Sequence, residues 1–126
     1  MRHSFTIENI KVNPILRPDF DNTPNEDRTQ KELNEYWNKP YIIIDTLHQE
    51  PFIEHVTRMN ELGYYELETE EAFNLRQKES RDIFYSCFPD GFKYQVRCLD
   101  GGAWDRSTMK GNFNTFNEAL EFARLQ

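Results

Sequence analysis

The stretch Arg97-Cys98-Leu99-Asp100-Gly101-Gly102-Ala103-Trp104-Asp105-Arg106-Ser107-Thr108 concentrates more chemical variety than any other part of the chain. Arg97 and Arg106 are forked donors suited to carboxylate or phosphate. Trp104 offers a stacking plane, and paired glycines let another backbone come close. Taken as a recognition surface, Arg97, Trp104, Asp105 and Arg106 would hold a ligand or a partner. Taken as architecture, a three-residue loop at 100–102 sets Arg97 opposite Asp105 as a cross-strand ion pair.

Other constellations carry less. His48 and His55 flank Glu50 and Glu54, but helical metal ligands need i, i+4 spacing and Pro51 interrupts the segment, so solvated histidines at a helix start are expected. Glu66, Glu68, Glu70 and Glu71 lack the carbonyl ligands and glycine-turned loop of a calcium site and read as a solvated acidic face. A reactive thiol needs a base or a positive neighbour, and Cys98 falls on an apolar face, as a buried inert thiol would. There is no glycine-rich phosphate loop, Gly-x-Ser-x-Gly elbow or His-Glu-x-x-His. No catalytic residue, metal ligand or cofactor is therefore assigned, and the chain leans away from being an enzyme.

The elements that must position these residues follow from capping and periodicity. Thr29 with Glu32 forms a capping box ahead of a Leu33, Tyr36, Trp37 stripe that ends at Asn38-Lys39-Pro40. Tyr41 to Leu47 reads as a strand. Pro51 opens a helix with Phe52, Val56 and Met59 on one face, Gly63 as its stop, and Glu54 paired with Arg58 on the outside. Tyr64 to Glu68 alternates like a short strand, and Thr69 starts a helix running to about Glu79. Phe88-Pro89-Asp90-Gly91-Phe92 has the residues of a tight turn. A three-residue loop at 89–91 would put Phe84, Phe88, Phe92, Tyr94, Val96 and Cys98 on one face and Cys87 on the other, so the cysteines should not bridge. A third strand is expected from 103 to 110. Thr115 with Glu118 forms a second capping box, opening a terminal helix whose Phe116, Ala119, Leu120 and Ala123 face the core.

Composition bounds the rest. The 126 residues carry a net charge of −7, spread over both halves, which excludes a phosphate-backbone binder working by bulk charge. Ten phenylalanines, six tyrosines and two tryptophans mean a core made largely of rings. The chain is long enough for one domain, 1–126, without disulfides or metal. Residues 13–28, rich in Pro, Asn and acids, read as a surface loop or arm. No apolar run approaches a membrane span and no signal peptide is visible, so a cytoplasmic protein without membrane or nucleic-acid partners is expected.

The stretch from Tyr94 to Arg124, YQVRCLDGGAWDRSTMKGNFNTFNEALEFAR, resembles the strand–turn–strand–helix ends of small bacterial proteins of the mobile gene cassette (integron) type. It covers about a quarter of the chain. The resemblance implies a compact bacterial accessory protein and carries over no functional residues.

The expected fold is α+β: an antiparallel or mixed sheet, a C-terminal three-stranded meander (82–88, 92–99, 103–110), and helices on one face. The expected function is a non-enzymatic binding or interaction module that forms a homodimer or meets another protein through Trp104. The alternatives are a small anionic-ligand or nucleotide binder using Arg97, Trp104 and Arg106, and an acidic mimic of nucleic acid.

Overall fold

The chain begins with a hairpin that contains no glycine. Phe5–Ile7 (β1) and Ile10–Val12 (β2) pair antiparallel across Glu8 and Asn9, both at positive φ (51° and 68°). That two-residue loop has the backbone sign that matches strand twist, and asparagine tolerates it. The computed structural model, which describes residues 3–126, divides into two compact units. One comprises residues up to Asp45 together with Phe92–Gln126, and the other is Thr46–Gly91.

The first unit is an α+β structure around a five-stranded mixed sheet in chain order. β2 runs parallel to Tyr41–Thr46 (β3), while Phe92–Cys98 (β4) and Thr108–Phe113 (β5) are antiparallel, with a bulge at Val96/Arg97. Gln30–Tyr36 (α1) is closed at its start by the Thr29–Glu32 capping box, both halves of which form. Phe116–Arg124 (α4) starts at Thr115, whose hydroxyl accepts from the Glu118 amide at 3.2 Å, so of the expected second capping box only the threonine half forms.

Helical segments cover both faces of the sheet rather than one. Ala119, Leu120 and Ala123 of α4 pack on Ile10, Val12, Ile42 and Val96. Tyr41 and Leu99 instead join Phe20 and Tyr36, with edge-to-face rings at 5.1 Å (Phe20–Tyr36) and 5.8 Å (Tyr36–Tyr41). Successive strand residues point to opposite faces, so Tyr41 and Ile42 serve separate cores. The 13–28 segment is tied into the second core by Phe20, which lies on a short 3-10 turn, Phe20–Asn22, and is 2 % exposed. Arg28, also buried, donates to the Phe20 carbonyl and to Asn25.

The second unit is built on Phe52–Glu61 (α2) and Glu70–Cys87 (α3). Gly63 stops α2 at φ 92°, as its position after the helix required. Residues 64–68 form no strand, and Tyr64 and Tyr65 are exposed.

The expected strand at 82–88 is instead the last two turns of α3, so the C-terminal part is a β4–β5 pair followed by α4, not a three-stranded meander. The turn is present, with the Gly91 amide donating to the Phe88 carbonyl at 2.9 Å and φ of 83° at Gly91. It joins a helix to a strand. Phe84 and Phe88 satisfy the four-residue spacing as well as the alternation, their rings 5.2 Å apart, and no Pro or Gly breaks the chain before Phe88. The expected thiol register falls with the hairpin. Cys87 ends α3, exposed, Cys98 is buried in β4, and both are free. Burial, then the Asp100 carboxylate, pushes the Cys98 thiol up. Among the described residues no helix is long and apolar enough to cross a membrane.

Phe73 is the only fully buried residue between Thr46 and Gly91, against a dozen buried apolar residues in the first unit. Local opening free energy follows buried apolar contact. Hydrogen exchange is expected to be slowest at Ile42, Val96 and Ala123 and markedly faster through α2 and α3. Uniform protection along the chain would contradict this.

Arg17 holds the Glu32 carboxylate at 2.7 Å, and with the Thr29 amide it draws the Glu32 pKa down to about 2. A carboxyl depressed in the folded state stabilises above its ordinary pKa, and that contribution disappears as pH falls from about 4.5 towards about 2. Carboxyl NMR should show Glu32 titrating near the bottom of this window, and Arg17→Ala should return it towards the ordinary range.

Candidate functional site

The 97–108 segment is a clamped turn. Arg97 on β4 donates through Nε to Ser107 Oγ (2.9 Å), through Nη2 to the Ser107 carbonyl (2.9 Å) and through Nη1 to Gln95 (3.0 Å). Its guanidinium is thus spent inside the fold. It does not face Asp105, because the β4–β5 register sets Arg97 against Met109 and the returning strand begins at Thr108, not at 103. Residues Ala103–Asp105 form a 3-10 turn instead. Gly102 is required there, since a Cβ would sit 2.5 Å from Thr108 Oγ1. Asp100 receives Thr108 Oγ1 at 2.7 Å and pairs with Lys110, whose ammonium, with Thr108, lowers the Asp100 pKa.

Trp104 and Asp105 are consecutive non-glycine residues in the left-handed region, at φ 59° and 58°. Asp tolerates that conformation, but for tryptophan it is an outlier that the surroundings must impose. They do so from the 20–27 segment. The Asp105 carboxylate accepts from the Asn25 amide (3.0 Å) and from Asn25 Nδ2 (3.1 Å), and Asp21 accepts from the Ser107 amide (3.3 Å).

What this backbone displays is the indole. Trp104 is 86 % exposed, and the exposed Arg106 side chain meets no hydrogen-bond or ion-pair partner among the described residues. Beside the turn lies a shallow groove of about 360 Å³ lined by Asn25, Gln30, Leu33, Asn34 and Trp37. Trp37, 39 % exposed, bounds both features, because a Cβ on Gly101 would meet its ring at 3.5 Å. Of the four residues singled out by sequence, then, Arg97 and Asp105 hold the turn, and Trp104 and Arg106 are presented by it. Trp37 was read from sequence only as part of a helix stripe, and its place next to the glycine turn has no sequence signal.

The second unit has a polar pocket of about 370 Å³ between the 48–50 segment, α2 and α3. Glu50 accepts from Arg58 and lies 3.3 Å from His55 Nδ1. Partial burial raises the Glu50 pKa, but Arg58 and His55 together outweigh it and the net shift is down. Arg58 therefore pairs with Glu50, not with Glu54 one turn earlier. Across the pocket Arg76 is gripped by Glu68 at 2.6 Å, which lowers the Glu68 pKa and raises that of Arg76. His55 and Glu50 do come together, yet no group of three or more His, Cys, Asp or Glu side chains suited to a metal exists among the described residues. Arg58 and Arg76 were not legible as partners, since they sit on different helices.

Asp105→Ala should cost about 1–3 kcal/mol in denaturant unfolding, because it strips Asn25 of two acceptors and leaves the left-handed turn unsupported. A silent substitution would show that the clamp does not hold the turn. Compared with family models, with curated proteins and with solved structures, the chain matches none.

Proposed function

We propose that this protein is a non-enzymatic interaction module whose contact element is the Trp104 turn with the neighbouring Leu33–Trp37 groove, and that its partner is a second copy of the chain. The observation behind this reading is an 86 % exposed indole on a backbone held in an unfavourable conformation by hydrogen bonds to the 20–27 segment. A left-handed L-residue costs roughly 1–2 kcal/mol, and the turn gains no burial of the ring in return. An aromatic anchor whose backbone is already fixed loses little entropy on binding. Indole and groove lie next to each other, so a twofold exchange would place each tryptophan in the other copy's groove and close the assembly at two. An accessory role is also what the resemblance of the 94–124 stretch to cassette-borne proteins implies. The anionic-ligand reading at these residues has less support, since the donors of Arg97 are taken by Gln95 and Ser107.

A buried aromatic contributes roughly 150–250 Å² of contact, against about 800 Å² per partner in a standard interface. The dimer should accordingly be weak and concentration-dependent. Sedimentation velocity from micromolar to hundred-micromolar protein should show a rising mass. Trp104→Gly should abolish that rise while leaving the melting temperature unchanged or higher, because glycine relieves the left-handed strain. Arg106→Ala should weaken association without touching stability. A monomer at every concentration, or a Trp104→Gly variant that unfolds, would refute the reading.

A further inference from the structure

We propose that the pocket of the second unit binds a small oxyanion, a carboxylate or phosphate group, through Arg58 and Arg76. The site is independent of the Trp104 turn and rests on three observations.

First, the pocket is built. The 49–50 segment is fastened to α3 by reciprocal glutamine bonds, from Gln49 Nε2 to the Gln77 carbonyl at 2.6 Å and from Gln77 Nε2 to the Glu50 carbonyl at 3.1 Å. Phe73, 2 % exposed, forms the buried floor, with the His55 ring 4.6 Å from it, Phe52 at 5.4 Å and the Arg76 guanidinium at 5.2 Å. A volume of about 370 Å³ lies at the small end of ligand sites.

Second, both arginines are oriented but only partly used. Glu50 takes Arg58 at Nη2, and Glu68 takes Arg76 at Nε and Nη2. Arg58 Nε and Nη1 and Arg76 Nη1 have no acceptor among the described residues. A guanidinium held by a carboxylate on one edge presents its other edge with little further entropy to lose, and oxyanions match that edge.

Third, the charge is out of character for the chain. Against a net charge of −7, the lining gathers two arginines and two of the three histidines, with Glu50 as its one carboxylate. Glu68 grips Arg76 from outside the lining. His55 borders the pocket with Nδ1 beside Glu50 and Arg58 and its ring against Phe73.

The test is a titration of the full chain with sodium phosphate, and separately with sodium acetate, read by nitrogen-15 NMR against sodium chloride of equal ionic strength. Saturable shifts confined to Arg58, Arg76, Gln77 and their neighbours, absent with chloride, are expected. Tighter binding of phosphate identifies a phosphate ester as the natural ligand class, and tighter binding of acetate a carboxylate. The double substitution Arg58→Gln with Arg76→Gln should weaken binding at least about tenfold, while Arg81→Gln, elsewhere on α3, leaves it unchanged. Shifts that fail to saturate, that chloride reproduces, or that persist in the double variant with its helical circular dichroism intact would overturn the proposal. Should the double variant lose its helices, the wild-type titration decides alone: no saturable, localised response means no site.

Discussion

Everything in the first unit depends on the side-chain alternation of one strand. Tyr41 and Ile42 are 1 % and 0 % exposed and face opposite ways. One anchors a ring cluster with Phe20, Tyr36 and Leu99, the other an aliphatic cluster under α4. Because the side-chain period of a strand is two, a slip of one residue would exchange the two cores and seat a tyrosine where an isoleucine fits. Three valines could not fill both layers, and the rings do much of the filling.

The same ring cluster explains how a tryptophan comes to stand in solvent on a strained turn. Phe20 draws the 13–28 segment onto the sheet, and Arg28 fixes Asn25 through its side-chain oxygen at 2.6 Å. Asn25 in turn holds Asp105. Burial of one phenylalanine is transmitted by short polar bonds to the backbone of Trp104. The strain is thus maintained by the core and located at the surface, the distribution expected where a protein keeps a contact residue in place.

The second unit is organised differently. Its helices share a single buried ring, and around that ring the ordering is polar: paired glutamines, and arginines held by carboxylates. Exposed ion pairs add little stability, since water screens them and long side chains lose entropy. Their effect here is to orient guanidinium groups beside a cavity. The thin core and the polar pocket are consequences of the same choice of residues.

Capping chemistry was legible in the sequence because it is local: Thr29 with Glu32, Thr115 and the stop at Gly63 depend on residues within one helical turn. The α+β class followed from periodic patterns of similarly short range. The 82–88 segment was not decidable that way. Phe84 and Phe88 fit both periods, and a Pro-Asp-Gly turn states that the chain reverses without stating what it joins. The hairpin at Glu8-Asn9 was silent for a related reason, asparagine being an ambiguous marker where glycine is a strong one. Only the tertiary structure decided that helical segments lie on both faces of the sheet, that Arg97 serves Ser107 and not Asp105, and that Arg58 and Arg76 share a pocket. Each of these joins residues distant in the chain or sets a strand register, and spacing along a chain carries no information about which of many polar side chains will meet once apolar surface has been buried.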